Sequence, residues 1–255
     1  MQAPKSNLHP AQIEDAAHMA LPPASSRGET RLVVADGSSG SAGSGWWARQ
    51  LARDLCAAPG RAFQNARAFD DVAADATLRW PSYKRTLLEG VASSSRRAWL
   101  AQVRINNGPA TTVLGIRLLP RPEDDGPPDC LGEGMWQVVS VGDSCMFQVR
   151  SDRVVESVAI KTRVPPVIRA SSTTTPPTPE LREGHWRSDD VFYLMTDALA
   201  RWWTRHADVG GRPWVVLDTV CASRDDFPNW VQAQRAKRVL EDDDITLLRA
   251  ECGPC

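Results

Sequence analysis

Leu32-Val33-Val34-Ala35-Asp36-Gly37, followed by Ser38-Ser39-Gly40-Ser41-Ala42-Gly43-Ser44-Gly45, is the stretch whose reading decides the fold. Thr30 to Ala35 is apolar and β-branched enough to form a strand. The Gly/Ser run that follows reads as a flexible loop. A helix is expected from about Trp46 to Ala57, with Trp47, Leu51 and Leu55 on one face. No Gly-Lys-Ser/Thr follows the strand, so it is not a P-loop, and the glycine spacing of a dinucleotide site is missing too. What remains is a buried strand that stops at an aspartate. The pattern recurs in Val138-Val139-Ser140-Val141-Gly142-Asp143 and in Phe192-Tyr193-Leu194-Met195-Thr196-Asp197. A fourth apolar run, Ile245 to Leu248, begins just after Asp242, Asp243 and Asp244. Carboxylates gathered at one rim repel each other unless a positive charge sits between them. A hard divalent cation such as Mg²⁺ or Mn²⁺, which takes oxygen ligands, meets that need.

Working outward, the 255 residues carry 42% hydrophobic and 24% charged side chains and a net charge of −1. That is the balance of an ordinary soluble globular protein. The weak net charge and the lack of a basic, aromatic-interleaved stripe argue against nucleic-acid binding. No apolar run approaches the ~20 residues that span a bilayer, and residues 1–15 hold no apolar core of a secretory signal. A cytoplasmic monomer is the expectation. The six cysteines suggest no disulfide framework. Cys252-Gly253-Pro254-Cys255 matches a redox tetrapeptide, but no helix follows to activate a thiolate, so it reads as an incidental tail.

Residues 1–12 read as a loose tail. Tyr83 to Val103 looks helical, with Leu87, Val91 and Leu100 as candidate buried positions. Ala110 to Leu119 is a strand, residues 121–134 a surface loop, and Trp136–Val141 with Met146–Val149 a hairpin. Arg153 to Ile160 adds a third strand. Residues 169–184, rich in Pro and Thr, read as a loop or insert near the site. Asp197 opens a helix through His206, Asp225 or Asp226 caps another that runs to Leu240, and Ile245 to Ala250 is the last strand, with 251–255 a tail. Strands in runs and helices in groups argue α+β rather than a doubly wound sheet. One domain spanning 1–255 is expected. Trp46-Trp47 and Trp202-Trp203 read as packing residues.

These motifs, taken in order, resemble the metal-dependent protein serine/threonine phosphatases, the PPM or type 2C family. Glu14-Asp15 resembles its early Glu-Asp motif, and Val34-Ala35-Asp36-Gly37 its Asp-Gly metal motif. Ala110-Thr111-Thr112-Val113-Leu114 resembles the strand that follows. Gly142-Asp143-Ser144, Thr196-Asp197-Ala198-Leu199 and Asp243-Asp244-Ile245-Thr246 resemble the Gly-Asp-Ser, Ser-Asp-Gly-Leu and Asp-Asn-Ile-Thr motifs. The resemblance implies a four-layer α-β-β-α sandwich of two mainly antiparallel sheets flanked by helices. It implies two Mn²⁺ or Mg²⁺ ions, with a third in some members. Asp36 would bridge the two ions and the Gly37 carbonyl would add an oxygen. Asp197 and Asp243 would hold one ion, Glu14 and Asp15 would act on the other, and Asp143 would serve a third. The implied reaction is hydrolysis of phosphoserine or phosphothreonine in proteins by a water that the ions activate, with Asp36, Asp197 and Asp243 acting through that water. A phosphoprotein substrate is the implied partner, with a cognate serine/threonine kinase as a further candidate.

The chain departs from the family at several motif positions. Ser38-Ser39-Gly40-Ser41 stands where many members carry a Gly-Gly-His or His-Gly-Gly sequence. Cys145 stands where arginine follows Gly-Asp-Ser, and Ala198 where glycine follows the aspartate. No basic residue just precedes Glu14. Phosphate binding and leaving-group protonation therefore have no assigned residue, which leaves an inactive, phosphatase-like binding or regulatory module as the alternative. Each acid has a plain structural reading as well: Asp36 and Asp143 as turn residues, Asp197 as a helix cap, and Glu14, Asp15 and Asp243 as solvated surface charge. A serine hydrolase is a poor fit. Residues 142–146 read Gly-Asp-Ser-Cys-Met rather than a nucleophile elbow, and none of the four histidines sits in a triad context.

Overall fold

A computed structural model of the chain describes residues 1–6, 8–23, 28–91, 96–121, 133–158, 164–170, 177–223 and 225–253. Among the described residues, eleven strands form two antiparallel sheets. The first contains β1 (Gln2–Ala3), β11 (Ile245–Glu251), β10 (Val191–Met195), β6 (Cys145–Arg150) and β7 (Arg153–Val158), in that spatial order. The second contains β2 (Ala16–Ala20), β3 (Thr30–Gly37), β4 (Ala110–Pro120), β5 (Glu133–Val141) and β9 (Glu180–Arg187), with β8 (Ile168–Arg169) paired to β4. Helices α1 (Ser44–Ala57), α2 (Ala66–Thr77), α3 (Trp80–Glu89) and α4 (Arg96–Asn106) follow β3. Helices α5 (Asp197–Asp208), α6 (Pro213–Val220) and α7 (Asp226–Ala236) lie between β10 and β11. The expected α+β sandwich is the observed fold.

Three apolar layers hold it together. Leu32, Val34, Leu114, Ile116, Trp136, Val138, Met146, Phe192, Leu194 and Leu248 fill the space between the sheets. Val33, Ala35, Val113 and Val139 point the other way, onto Trp47, Leu51 and Leu55 of α1. Tyr193, Met195, Ile245 and Leu247 pack under Leu199, Trp202, Trp203, Leu217 and Phe227 of α5, α6 and α7. This explains why the strand runs are apolar throughout rather than alternating: a sheet covered on both faces has no wet side. The tryptophans expected to pack do so. Trp47 and Trp203 are fully buried, and Trp46 stacks on Tyr83 with ring centroids 4.5 Å apart.

Several expectations need correction. The stretch 83–103 is two helices, not one, and Leu100 lies exposed on the second. The loop expected over 169–184 begins at the last residue of β8 and ends within β9. Five of the eight residues of β9 are charged or histidine, because it is an edge strand whose one neighbour among the described residues is β5. Residues 171–176 lie outside the described residues, as does most of the loop expected over 121–134, although Glu133 and Gly134 belong to β5. The helix expected to reach Leu240 ends at Ala236, and its N-cap Asp225 makes no side-chain cap bond. The N-terminal stretch is not loose. Gln2 and Ala3 pair with Thr246 and Ile245, and the Met1 ammonium donates to the Leu247 carbonyl at 2.8 Å. Glu251 belongs to β11 and Cys252 is buried, while Pro254 and Cys255 lie outside the described residues.

Candidate metal centre

Strand register gathers the acids. β10 runs antiparallel to both β6 and β11, pairing Met195 with Cys145 and with Leu247. The end of β10 therefore lies beside the starts of β6 and β11. Asp197, Asp143 and the Asp242–Asp244 run sit just beyond those points. In the other sheet β3 ends with Asp36 opposite Thr112 and Gly37 opposite Thr111, and Ala16 of β2 pairs with Ala35. Glu14 and Asp15 precede β2 and so reach the same rim. Gly142-Asp143-Ser144 is the crossing from β5 in one sheet to β6 in the other, so the two strands expected to form a hairpin do not pair.

Two glycines make the crossing and the strand end feasible. Gly142 has φ of 115°, and a Cβ there would lie 2.3 Å from Thr112. Gly37 has the Glu14 carbonyl 2.4 Å from where its own Cβ would stand. A side chain at either place would push the rim apart.

Asp36, Asp143 and Asp197 each present one carboxylate oxygen, and these three atoms lie within 4.8 Å of one another. Asp143 and Asp197 are buried and Asp36 is partly so. Asp197 occupies the first turn of α5. Its Oδ1 is buried with no hydrogen-bond partner, and its Oδ2 forms an ion pair with Arg201 one turn on, at 2.6 Å. A buried carboxylate oxygen without a donor calls for an occupant that supplies positive charge. Three carboxylates of this kind suit a hard cation, so the residues fit a Mg²⁺ or Mn²⁺ ion.

The electrostatics agree with a site short of positive charge. Burial pushes the Asp36 carboxyl well above its ordinary range, and the charges of Asp15, Asp197, Asp143 and Asp243 push it further. Burial raises Asp197 to about 6, against the pull of Arg201 and with help from Asp143 and Asp243. Asp143 is raised by burial despite Arg201. Asp15 is 2% exposed and is raised to about 8, mainly by burial, although its Oδ2 accepts from Thr196 Oγ1 at 2.9 Å.

The remaining sequence candidates are close by but engaged differently. The Asp243 Oδ1 accepts from the Asp244 amide at 2.8 Å and pairs with Lys5 Nζ at 3.0 Å, outside the three-acid set. Glu14 accepts from Ser44 Oγ at 2.6 Å and pairs with Lys5 at 3.3 Å. It also edges an open cleft of about 750 Å³ lined by Ser41, Leu87, Leu100 and Arg104. Asp244 is a clamp rather than a free acid: it accepts from the backbone amides of Lys5 at 2.8 Å and Glu14 at 2.7 Å.

Lys5 and Arg201 are the site residues that sequence reasoning missed. Arg201 had a signal, since it lies four residues after Asp197 on one helix face. It also approaches Asp143 at 3.8 Å and Glu241 at 2.8 Å. Lys5 had none, because only the pairing of β1 with β11 brings it here. Burial opposes its charge, but Asp243 and Glu14 outweigh burial and its pKa is raised.

No protein-family model matches the chain, and no curated protein sequence does. Solved structures do match. The serine/threonine phosphatase Stp1 from Staphylococcus aureus is 13% identical over 98% of this chain and 92% of its own, with a TM-score of 0.60. A bacterial serine phosphatase is 12% identical over 100% and 97%, with a TM-score of 0.55. The Mycobacterium tuberculosis phosphatase PstP/Ppp is 15% identical over 99% and 97%, with a TM-score of 0.53. The catalytic domain of PstP has also been solved in complex with two manganese ions. At this identity the likeness establishes the fold, which is that of the PPM phosphatases.

Proposed function

We propose that the chain is a metal-dependent phosphatase that removes phosphate from phosphoserine and phosphothreonine in proteins. The observation that carries this reading is the three-acid cluster with its orphaned Asp197 oxygen, at the rim of a fold shared with such enzymes. Asp36, Asp143 and Asp197 would hold one ion, and Asp36, Asp243, Glu14 and the Gly37 carbonyl would be the donors for a second. A bound divalent ion would lower the pKa of water and offset charge on phosphoryl oxygens. The chain's own part is positional. Thr196 holds Asp15 by its hydroxyl and accepts from the Thr246 amide, which ties the starts of α5 and β11 together behind the acids. Arg201 balances part of the charge of Asp197 and Asp143. The cleft beside Glu14 offers a phosphorylated segment apolar contacts from Leu87 and Leu100 and a cation from Arg104. No helix among the described residues is long and apolar enough to cross a membrane. A monomer acting on cytoplasmic phosphoproteins, with a cognate kinase as counterpart, completes the proposal.

The test is hydrolysis of p-nitrophenyl phosphate and a phosphothreonine peptide with Mn²⁺, for the wild type and for Asp36→Asn and Asp197→Asn. Turnover that needs the metal and is lost in both folded variants supports the enzyme. No turnover with any divalent metal, together with no metal-dependent thermal shift, would favour a non-catalytic binding module.

A further inference from the structure

The acids of the rim divide into two groups by what they face. Asp36, Asp143 and Asp197 converge on one another. Glu14 and Asp243 converge on the Lys5 ammonium, at 3.3 and 3.0 Å, and Ser39 Oγ accepts a hydrogen bond from the same nitrogen. Lys5 is not there by chance of a wandering side chain. Its amide donates to Asp244, the next amide, that of Ser6, donates to Asp242 at 2.8 Å, and the carbonyl of Pro4 accepts from Arg235 at 2.6 Å. Arg235 in turn donates to the Asp243 carbonyl. Two members of the Asp242–Asp244 run thus hold the N-terminal strand in place, and the third takes its lysine.

We infer that Lys5 is a built-in counter-cation that competes with a divalent ion for Glu14 and Asp243. An ion at Asp36, Asp143 and Asp197 displaces only Arg201, whose side chain is 40% exposed and already shared with Glu241. An ion drawing on Glu14 and Asp243 must displace an ammonium whose side chain is 19% exposed and whose backbone is fixed. The ions therefore load in order, the first tightly and the second against Lys5. The inference rests on the metal-binding half of the proposed function, but not on catalysis.

Mn²⁺ binding measured by isothermal titration and by the free-ion paramagnetic resonance signal tests it, without substrate. Wild type is expected to bind one ion tightly and a second weakly. Lys5→Met keeps the side chain's length and removes the charge; it is expected to tighten the second ion by about tenfold or more and leave the first unchanged. Lys5→Arg is expected to titrate as wild type, and a Lys5→Met/Asp243→Asn double variant to lose the gain, which locates it. Circular dichroism confirms that each variant is folded. A Lys5→Met titration identical to wild type, a weakening of both ions, two equally tight ions in wild type, or no Mn²⁺ bound at all would each overturn the inference. Ordered binding without any phosphatase turnover would sink the proposed function and leave this inference standing; turnover with an unchanged Lys5→Met titration would do the reverse.

Discussion

Replacing Asp36 with asparagine is expected to stabilise the metal-free protein and to abolish its stabilisation by metal. Asp36 faces the charges of Asp15, Asp197, Asp143 and Asp243. Its oxygen lies within 4.8 Å of those of Asp143 and Asp197. At an effective dielectric of about 20, two unit charges about 5 Å apart repel by about 3 kcal/mol. Partial protonation relieves some of this, so a gain of about 1–3 kcal/mol near neutral pH is the reasonable scale for Asp36→Asn. In a domain of this size each kcal/mol moves the melting temperature by about 2–4 °C, which gives a rise of roughly 2–12 °C. Metal is expected to distinguish the two proteins. At a free concentration of about 100 times Kd, Mn²⁺ stabilises the wild type by about 2.7 kcal/mol. The variant has lost a ligand at the centre of the cluster and is expected to shift little. The assay is thermal melting near neutral pH with chelator and with Mn²⁺. A variant that melts below wild type in chelator and still responds to Mn²⁺ would refute the claim that these carboxylates are held together against their repulsion to receive a cation.

Three further predictions follow from the same geometry. Folding holds the carboxyls of Asp15 and Asp197 at about 8 and about 6, above the ordinary carboxylate range. The native state therefore keeps protons that the unfolded chain releases, so metal-free stability should fall as pH rises from about 4 to 8, as read by urea unfolding; a rise over that window contradicts the burial argument. Gly37→Ala places a Cβ 2.4 Å from the Glu14 carbonyl, and should cost about 1–3 kcal/mol and weaken the Mn²⁺-dependent thermal shift; an unchanged shift would mean that the rim tolerates displacement. Asp190, fully buried, accepts from Arg150 at 2.6 and 2.7 Å and from Gln148 at 2.6 Å, so Asp190→Ala should cost about 3–5 kcal/mol in urea unfolding, and a loss under about 1 kcal/mol would argue against that network.

Much of the sandwich was legible in the chain because its central strands are buried on both faces. Leu32 to Ala35, Val138 to Val141 and Phe192 to Met195 read as apolar runs for that reason. Peripheral elements were harder. β9 reads Glu180-Leu181-Arg182-Glu183-Gly184-His185-Trp186-Arg187 and carries no strand period, since an edge strand can leave most side chains in water. β2 is only five residues long, and α2 lies in an alanine-rich stretch with Phe69 and Val72 as its only large apolar side chains. The break between α3 and α4 has no proline to mark it.

The primary structure by itself determined which residues end the central strands, because buried apolar runs and the polar residues that stop them are local features. It thereby placed Asp36, Asp143 and Asp197 at strand ends, and it carried the order of motifs that resembles the phosphatases. Only the tertiary structure decided which of those acids meet, since antiparallel register sets which strand ends coincide. It brought Asp36, Asp143 and Asp197 to within 4.8 Å and turned Asp243 toward Lys5. Charge pairing across 238 positions of chain, as between Lys5 and Asp243, leaves no trace in local pattern. It exists because β1 adds to the edge of β11 and carries an ammonium to a rim that lacks positive charge.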